Sequence, residues 1–138
     1  LTYTAHPISL AAAIANIQVM QDEQIVEHAR QMGPVLHRLL TDMGEQHPSI
    51  GEVRSIGLFG VIELVRNRQT KEPLAPWNAS SPEMVALRKY CLDAGLFIYT
   101  HWHTILIIPP LIITPEELAE GFAILDQALI ATDAAVTG

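Results

Sequence analysis

The longest apolar run in the chain, Ile105 to Ile113, is broken at its centre by Pro109 and Pro110. That pair constrains the fold more than any other feature. Proline has no backbone N–H and fixes φ, so neither a helix interior nor an inner strand passes through two of them. The run also falls short of the roughly 18 apolar residues a membrane-spanning helix requires. It reads as a short strand, Thr104 to Ile108, stopped by Pro109-Pro110. Just beyond it, Thr114-Pro115-Glu116-Glu117 combines an N-cap, a proline at the first helical position and a glutamate able to reach back to the cap. A helix is expected from there to about Asp133, burying Leu118, Phe122, Leu125 and Leu129.

The rest of the pattern is read outward from that anchor. Pro7 suits a first helical turn, and Ala11 to Met20 continues it with Leu10, Ile14, Ile17 and Met20 at helical spacing. A second helix is expected from about Asp22, with a buried stripe of Ile25, Ala29, Met32, Val35, Leu36, Leu39, Leu40 and Met43. Gly33-Pro34 predicts a kink or short break inside it, and Gly44 a stop. Val53 to Val65 is too densely apolar for an exposed strand, and Gly57 and Gly60 within it predict a bulge or a close backbone approach. Residues 66–79 have the Pro-rich make-up of a loop. Ser81-Pro82-Glu83 starts a third helix, running to about Ala94, and Leu96 to Thr100 is a strand joined to the last one through His101-Trp102-His103. The order of elements predicts an α+β fold: a small, mostly antiparallel sheet with helices packed on one face.

Charge and composition exclude several partners. Eight Lys and Arg against fifteen Asp and Glu give a net charge of −7, with the basic residues scattered. Nucleic-acid backbones and anionic membranes both call for a basic stripe, so neither is expected as a partner. Cys91 is the single cysteine, which excludes a disulfide framework and predicts a buried, inert thiol. No basic region precedes the first apolar stretch, so a cytoplasmic origin is expected. With 49% apolar residues and Leu1 in place of Met, the sequence is expected to be part of something larger.

Candidate chemistry is sparse. On a strand, His101 and His103 at spacing i, i+2 would share a face and could share a metal, but no third ligand lies nearby in sequence. Pocket-lining or surface histidine is the plainer reading. His28 and His37 lie nine residues apart, about 180° around one helix, and are expected to be solvated. Arg54 and Glu63 are expected to pair across adjacent strands. Gly57-x-x-Gly60 is too short for a phosphate loop, and no acid–base carboxylate pair stands out.

Three segments together are more specific. Leu1-Thr2-Tyr3-Thr4-Ala5-His6-Pro7 with its Ala-rich helix, Val53-Arg54-Ser55-Ile56-Gly57-Leu58-Phe59 with Ile62-Glu63-Leu64-Val65, and Pro109-Pro110-Leu111-Ile112-Ile113-Thr114 with Glu116-Glu117-Leu118 occur in this order. The chain thereby resembles the class III pyridoxal-phosphate-dependent aminotransferases, of fold type I. The resemblance implies that residues 1–21 are the tail of a large cofactor domain with its long connecting helix, and that residues 22–138 form the small C-terminal domain. It implies that the lysine holding the cofactor covalently lies upstream; Lys71 and Lys89 do not fit its place, so no catalytic residue is assigned within this chain. Thr2 matches the family threonine that reaches the cofactor phosphate of the neighbouring subunit. In many members an Arg that clamps a substrate carboxylate stands where Leu106 is, and in others near Tyr99. These departures turn attention to Tyr99, His101, Trp102, His103 and Leu106 as the substrate pocket.

What the resemblance implies for function is the transfer of an amino group from an ω-amino acid or amine (taurine-like, β-alanine or 4-aminobutyrate) to a 2-oxo acid. The partners would be a missing large domain, a second subunit and those substrates. Pyridoxal phosphate would be the cofactor of the intact enzyme, with none held by this chain alone, which is expected to be inactive by itself. Two other readings stay open from the residues: a free-standing, non-catalytic α+β interaction module, and a metal protein built on His101 and His103.

Overall fold

The computed structural model describes residues 4–137. Four helices, α1 (Pro7–Asp22), α2 (Ile25–Gln46), α3 (Pro82–Asp93) and α4 (Pro115–Asp133), accompany five strands, β1 (Ile50–Ile56), β2 (Phe59–Asn67), β3 (Glu72–Pro73), β4 (Tyr99–His101) and β5 (Thr104–Ile107). Strand order is β1-β2-β5-β4, with β3 paired to the far end of β2, and every pairing is antiparallel. This is the expected α+β architecture, with no described helix long and apolar enough to cross a membrane.

Local chemistry places the later helices as read from sequence. Ser81 accepts a hydrogen bond from the Met84 amide at the start of α3. Thr114 and Glu117 complete a reciprocal capping box at the start of α4, and such caps contribute about 1 kcal/mol each. Four buried residues of α2 (Met32, Leu36, Leu40, Met43) meet Ile62, Leu64 and Ile105 of the sheet, together with Leu87 of α3 and Leu125 and Leu129 of α4. Full burial of such a side chain contributes about 2 kcal/mol.

Two expectations for the first half are corrected. The segment Val53 to Val65 is not one bulged strand: Gly57, at φ +54°, turns the chain, and Ile56 pairs with Phe59 across the hairpin. Gly60 does mark a close approach, since a Cβ there would lie 2.8 Å from Leu40 Cδ1. The helix α2 does not break at Pro34 or stop at Gly44 but runs through both to Gln46. Gly33 explains the first: a Cβ on it would sit 3.1 Å from Gly57 Cα, so α2 rests directly on the β1–β2 turn. Packing along the whole helix offsets the hydrogen bond that Pro34 removes.

Cys91 is fully buried, and burial pushes its thiol from the ordinary 9.0 up to about 11. Thiol-specific reagents at pH 8 are therefore expected to leave Cys91 unmodified until denaturant is added. Because the folded state raises this pKa, the associated stability is full below about pH 9 and is lost as pH rises from 9 to 11. A urea-unfolding series across that window, compared with Cys91→Ala, measures it.

Candidate functional site

Alternation along the strands gives the sheet two unlike faces. Toward the helices point Val53, Ile62, Ile105 and their neighbours; Ile62, Ile105 and Leu64 are completely buried. The other face carries Glu52, Arg54 and Ile56 from β1, Phe59, Val61 and Glu63 from β2, Thr104 and Leu106 from β5, and Tyr99 and His101 from β4. Half-covered or open side chains mark this second face, with Ile56 at 80% exposure and Tyr99 at 54%.

Cross-strand register sorts that open face into two rows. One reads Arg54–Val61–Leu106–Tyr99, and the next reads Glu52–Glu63–Thr104–His101. Tyr99 and Leu106, seven residues apart in sequence, are direct partners. The charged groups satisfy one another: Arg54 bonds Glu63 as expected and also Glu52, at 2.9 Å, while Lys71 lies 3.9 Å from Glu52. The Arg54 guanidinium holds the Glu52 carboxyl below the usual carboxylate range, and Glu63, then Glu52, raise Arg54 in return. The Arg54 guanidinium is thus already engaged by two carboxylates on this face.

At the tip of the β4–β5 hairpin the chain turns through Trp102 and His103, with Trp102 at φ +54°. The turn overturns the shared-face geometry expected of His101 and His103, because the strand ends at His101. The His103 carbonyl accepts from the Leu64 amide at 2.9 Å, and among the described residues the buried His103 Nδ1 has no partner. No group of three or more metal-ligating side chains is found among the described residues. The Trp102 ring instead meets His101, with centroids 3.9 Å apart, and Trp77, at 3.8 Å. Trp77 was not among the candidate residues; it lies in the segment read from sequence as a loop, 66–79, and nothing in the sequence placed it at the hairpin.

Other expected residues fall as follows. Thr2 lies outside the described residues. Lys71 and Lys89 are exposed and paired with Glu52 and Asp93. His28 and His37 are not merely solvated: His28 Nε2 meets the Ile113 carbonyl at 2.8 Å, and His37 Nδ1 meets Ser55 Oγ at 3.0 Å. A cavity of about 220 Å³ lies between Phe97, Ile108, Pro110, Leu118 and Phe122, but it is apolar, and the carboxylate of its one acid, Glu117, caps α4.

Sequence reading missed one polar cluster altogether. His47, nearly buried, sits between two carboxylates, with Nδ1 2.7 Å from Asp133 and Nε2 3.0 Å from Asp126. Asp133 also accepts from the Ser49 amide and hydroxyl, at 3.1 and 2.6 Å, and Ser49 Oγ meets Thr132 Oγ1 at 2.8 Å. These contacts tie the α2–β1 corner to the end of α4, on residues 79 to 86 positions apart.

Comparison with known proteins decides what this fold belongs to. The family model described as aminotransferase class-III matches residues 1–129. The chain belongs to the class-III aminotransferase family. A putrescine–pyruvate aminotransferase of Pseudomonas aeruginosa is 31% identical over 136 residues, covering 98% of this chain and 29% of that protein. An ethanolamine-phosphate phospho-lyase homolog of Caenorhabditis elegans is 35% identical over 131 residues, covering 93% of this chain and 27% of its own length. Among solved structures, a taurine:2-oxoglutarate aminotransferase from Bifidobacterium kashiwanohense, in complex with PLP and glutamate, superposes with a TM-score of 0.87 at 32% identity over 96% of this chain. The chain spans less than a third of each of these proteins. Membership of the family favours the aminotransferase reading over the interaction-module and metal-protein readings.

Proposed function

We propose that this chain is the C-terminal portion of a pyridoxal-phosphate-dependent aminotransferase that moves an amino group from an ω-amino acid or amine to a 2-oxo acid. The carrying observation is the direct pairing of Tyr99 with Leu106 on the open sheet face. The two places at which family members set a carboxylate-clamping Arg converge there on one patch, and both hold other residues. A wall of Tyr99, Leu106 and Val61, with Arg54 already engaged by Glu52 and Glu63, offers no free guanidinium beside the amino-bearing carbon, which suits a donor without an α-carboxylate better than an α-amino acid.

Two features of the described residues support a cofactor held mainly by other parts of the enzyme. Those residues offer no desolvated lysine, and α2, α3 and α4 each carry a glutamate in the first turn, which repels a phosphate from those N-termini. When bound in the intact enzyme, pyridoxal phosphate supplies the electron sink for amine transfer. This chain contributes wall: Tyr99, Leu106 and His101 bound the space the donor enters, and the apolar side chains beside them exclude water. Thr2, which the resemblance matches to a donor for the phosphate of the neighbouring subunit's cofactor, belongs to this proposal through its motif alone. Helix α1 has no buried residue, and Ile8, Ile14 and Ile17 lie open, which supports residues 1–21 as the link to a large domain and to the second subunit.

The test compares two proteins. The 138-residue chain mixed with pyridoxal phosphate and gel-filtered is expected to retain no visible absorbance and to transfer no amine. The chain joined to the upstream cofactor domain from its own gene is expected to transfer amine from β-alanine, 4-aminobutyrate or taurine to pyruvate or 2-oxoglutarate. Retained absorbance in the short chain overturns the assignment as a wall-forming part. Phosphate release from ethanolamine phosphate, without amine transfer, shifts the reading to the lyase chemistry named for the nematode relative.

A further inference from the structure

The β1–β2 and β4–β5 hairpins each turn through a residue at φ +54°, but one is Gly57 and the other Trp102. Glycine adopts that left-handed conformation freely, whereas for a bulky side chain it is strained and needs its surroundings to hold it. The surroundings are visible. The Trp102 ring lies between His101 on its own strand and Trp77, which arrives from a loop 25 positions earlier. That loop is itself built to deliver a ring. Leu74 and Ala75 are fully buried and fix its base, the Leu74 amide bonds the Leu64 carbonyl, and the Ala79 amide closes a turn on the Pro76 carbonyl with Asn78 at φ +56°. Trp77 nevertheless stays 79% exposed, so burying its own surface is not what holds it there.

We propose that Trp77 is a specificity-setting positioning residue: it holds Trp102 in its strained turn and so fixes His101 on the open face beside Tyr99. This rests on the reading of that face as the substrate wall. Along a strand, His101 lies two residues, or about 7 Å, beyond Tyr99 on the same face. Donors short enough to end at the Tyr99–Leu106 row do not reach the aromatic cluster, and longer ones meet it. Trp77 therefore sets how a long amine is held while leaving the chemical step and short donors alone. No clue to this role exists in the sequence around His101, because the residue that sets the turn lies in a different loop.

The experiment uses the enzyme with its upstream cofactor domain. Trp77→Ala is expected to raise KM for long diamines about two- to tenfold, the range of one aromatic pair, with kcat and the KM for β-alanine within about twofold. Trp77→Phe restores most of the loss. Circular dichroism supplies a readout that bulk stability does not move: the Trp–Trp exciton couplet disappears in both variants while the melting temperature of Trp77→Phe stays near the parent's. Equal loss of kcat for short and long donors overturns the proposal and makes the cluster a docking ridge for other parts of the enzyme. An unchanged couplet in Trp77→Phe overturns the geometry itself. A parent enzyme that transfers no amine at all overturns the functional reading on which the proposal rests, whatever the variants do.

Discussion

Asp133→Ala is expected to lower the unfolding free energy by about 2–4 kcal/mol, a large share of a domain's total. The side chain accepts from three groups, the Ser49 amide, the Ser49 hydroxyl and the His47 ring, and Ser49 is completely buried. Truncation leaves these donors facing a void, and an unsatisfied buried donor costs about 1–3 kcal/mol. The estimate stops short of the sum because Asp133 is 22% exposed, so water reaches part of the gap. Urea unfolding of the parent, Asp133→Ala, Ser49→Ala and the double variant measures it. If the cluster is a unit, the double variant costs much less than the two singles added together. Strict additivity, or a loss below about 1 kcal/mol, would show that the α2–β1 corner holds without it.

Ile62→Ala is expected to cost about 3 kcal/mol. Ile62 occupies the middle of the central strand with no exposed surface, flanked by Val53 on β1 and Ile105 on β5 and covered by α2. Deleting three carbons there removes their burial and leaves a hole that two neighbouring strands and a helix cannot close together. Val61→Ala, one residue earlier on the open face, is expected to change the stability of this chain by less than about 1 kcal/mol. Equal losses at the two positions would contradict the two-faced sheet from which the wall is derived. In the larger enzyme Val61→Ala gains a cost only if that face is covered.

The contrast between residues 61 and 62 shows where legibility in the sequence ends. Helices α3 and α4 were readable to within a residue because their signals are local. Ser81 and Thr114 bond amides three residues on, and Pro82 and Pro115 occupy the one position that tolerates a missing donor. The Pro109-Pro110 stop and the three ordered motifs were legible for the same reason, and they sufficed to place the chain in its family. Gly57 was read as a bulge or a close backbone approach; Gly33 of α2 does rest close against it, but a hairpin turn and a bulge use the same residue, and only the pairing of Ile56 with Phe59 distinguishes them. Pro34 was read as a kink or short break because its local cost is plain, whereas the packing that carries the helix past it comes from the β1–β2 turn beneath Gly33.

The candidate site was only half legible. Tyr99 and Leu106 drew attention singly, through what stands at those places in the family; that they are one patch is a matter of register. His101 and His103 look alike in sequence, yet a single left-handed residue between them breaks the shared face. Trp77 and the cluster around His47 carried no signal that reached their partners, which lie 25 and up to 86 residues away.

By itself, then, the sequence determined the fold class, the ends of α3 and α4, the acidic balance and the family, because each depends on residue chemistry or on contacts within about one helical turn. Tertiary structure alone decided which face of the sheet stays open, which residues meet on it, and which buried polar groups hold the corner to α4. Those outcomes depend on strand register, and a shift of one residue would exchange the two faces. No local hydrogen bond records that register; only the packing of distant segments fixes it.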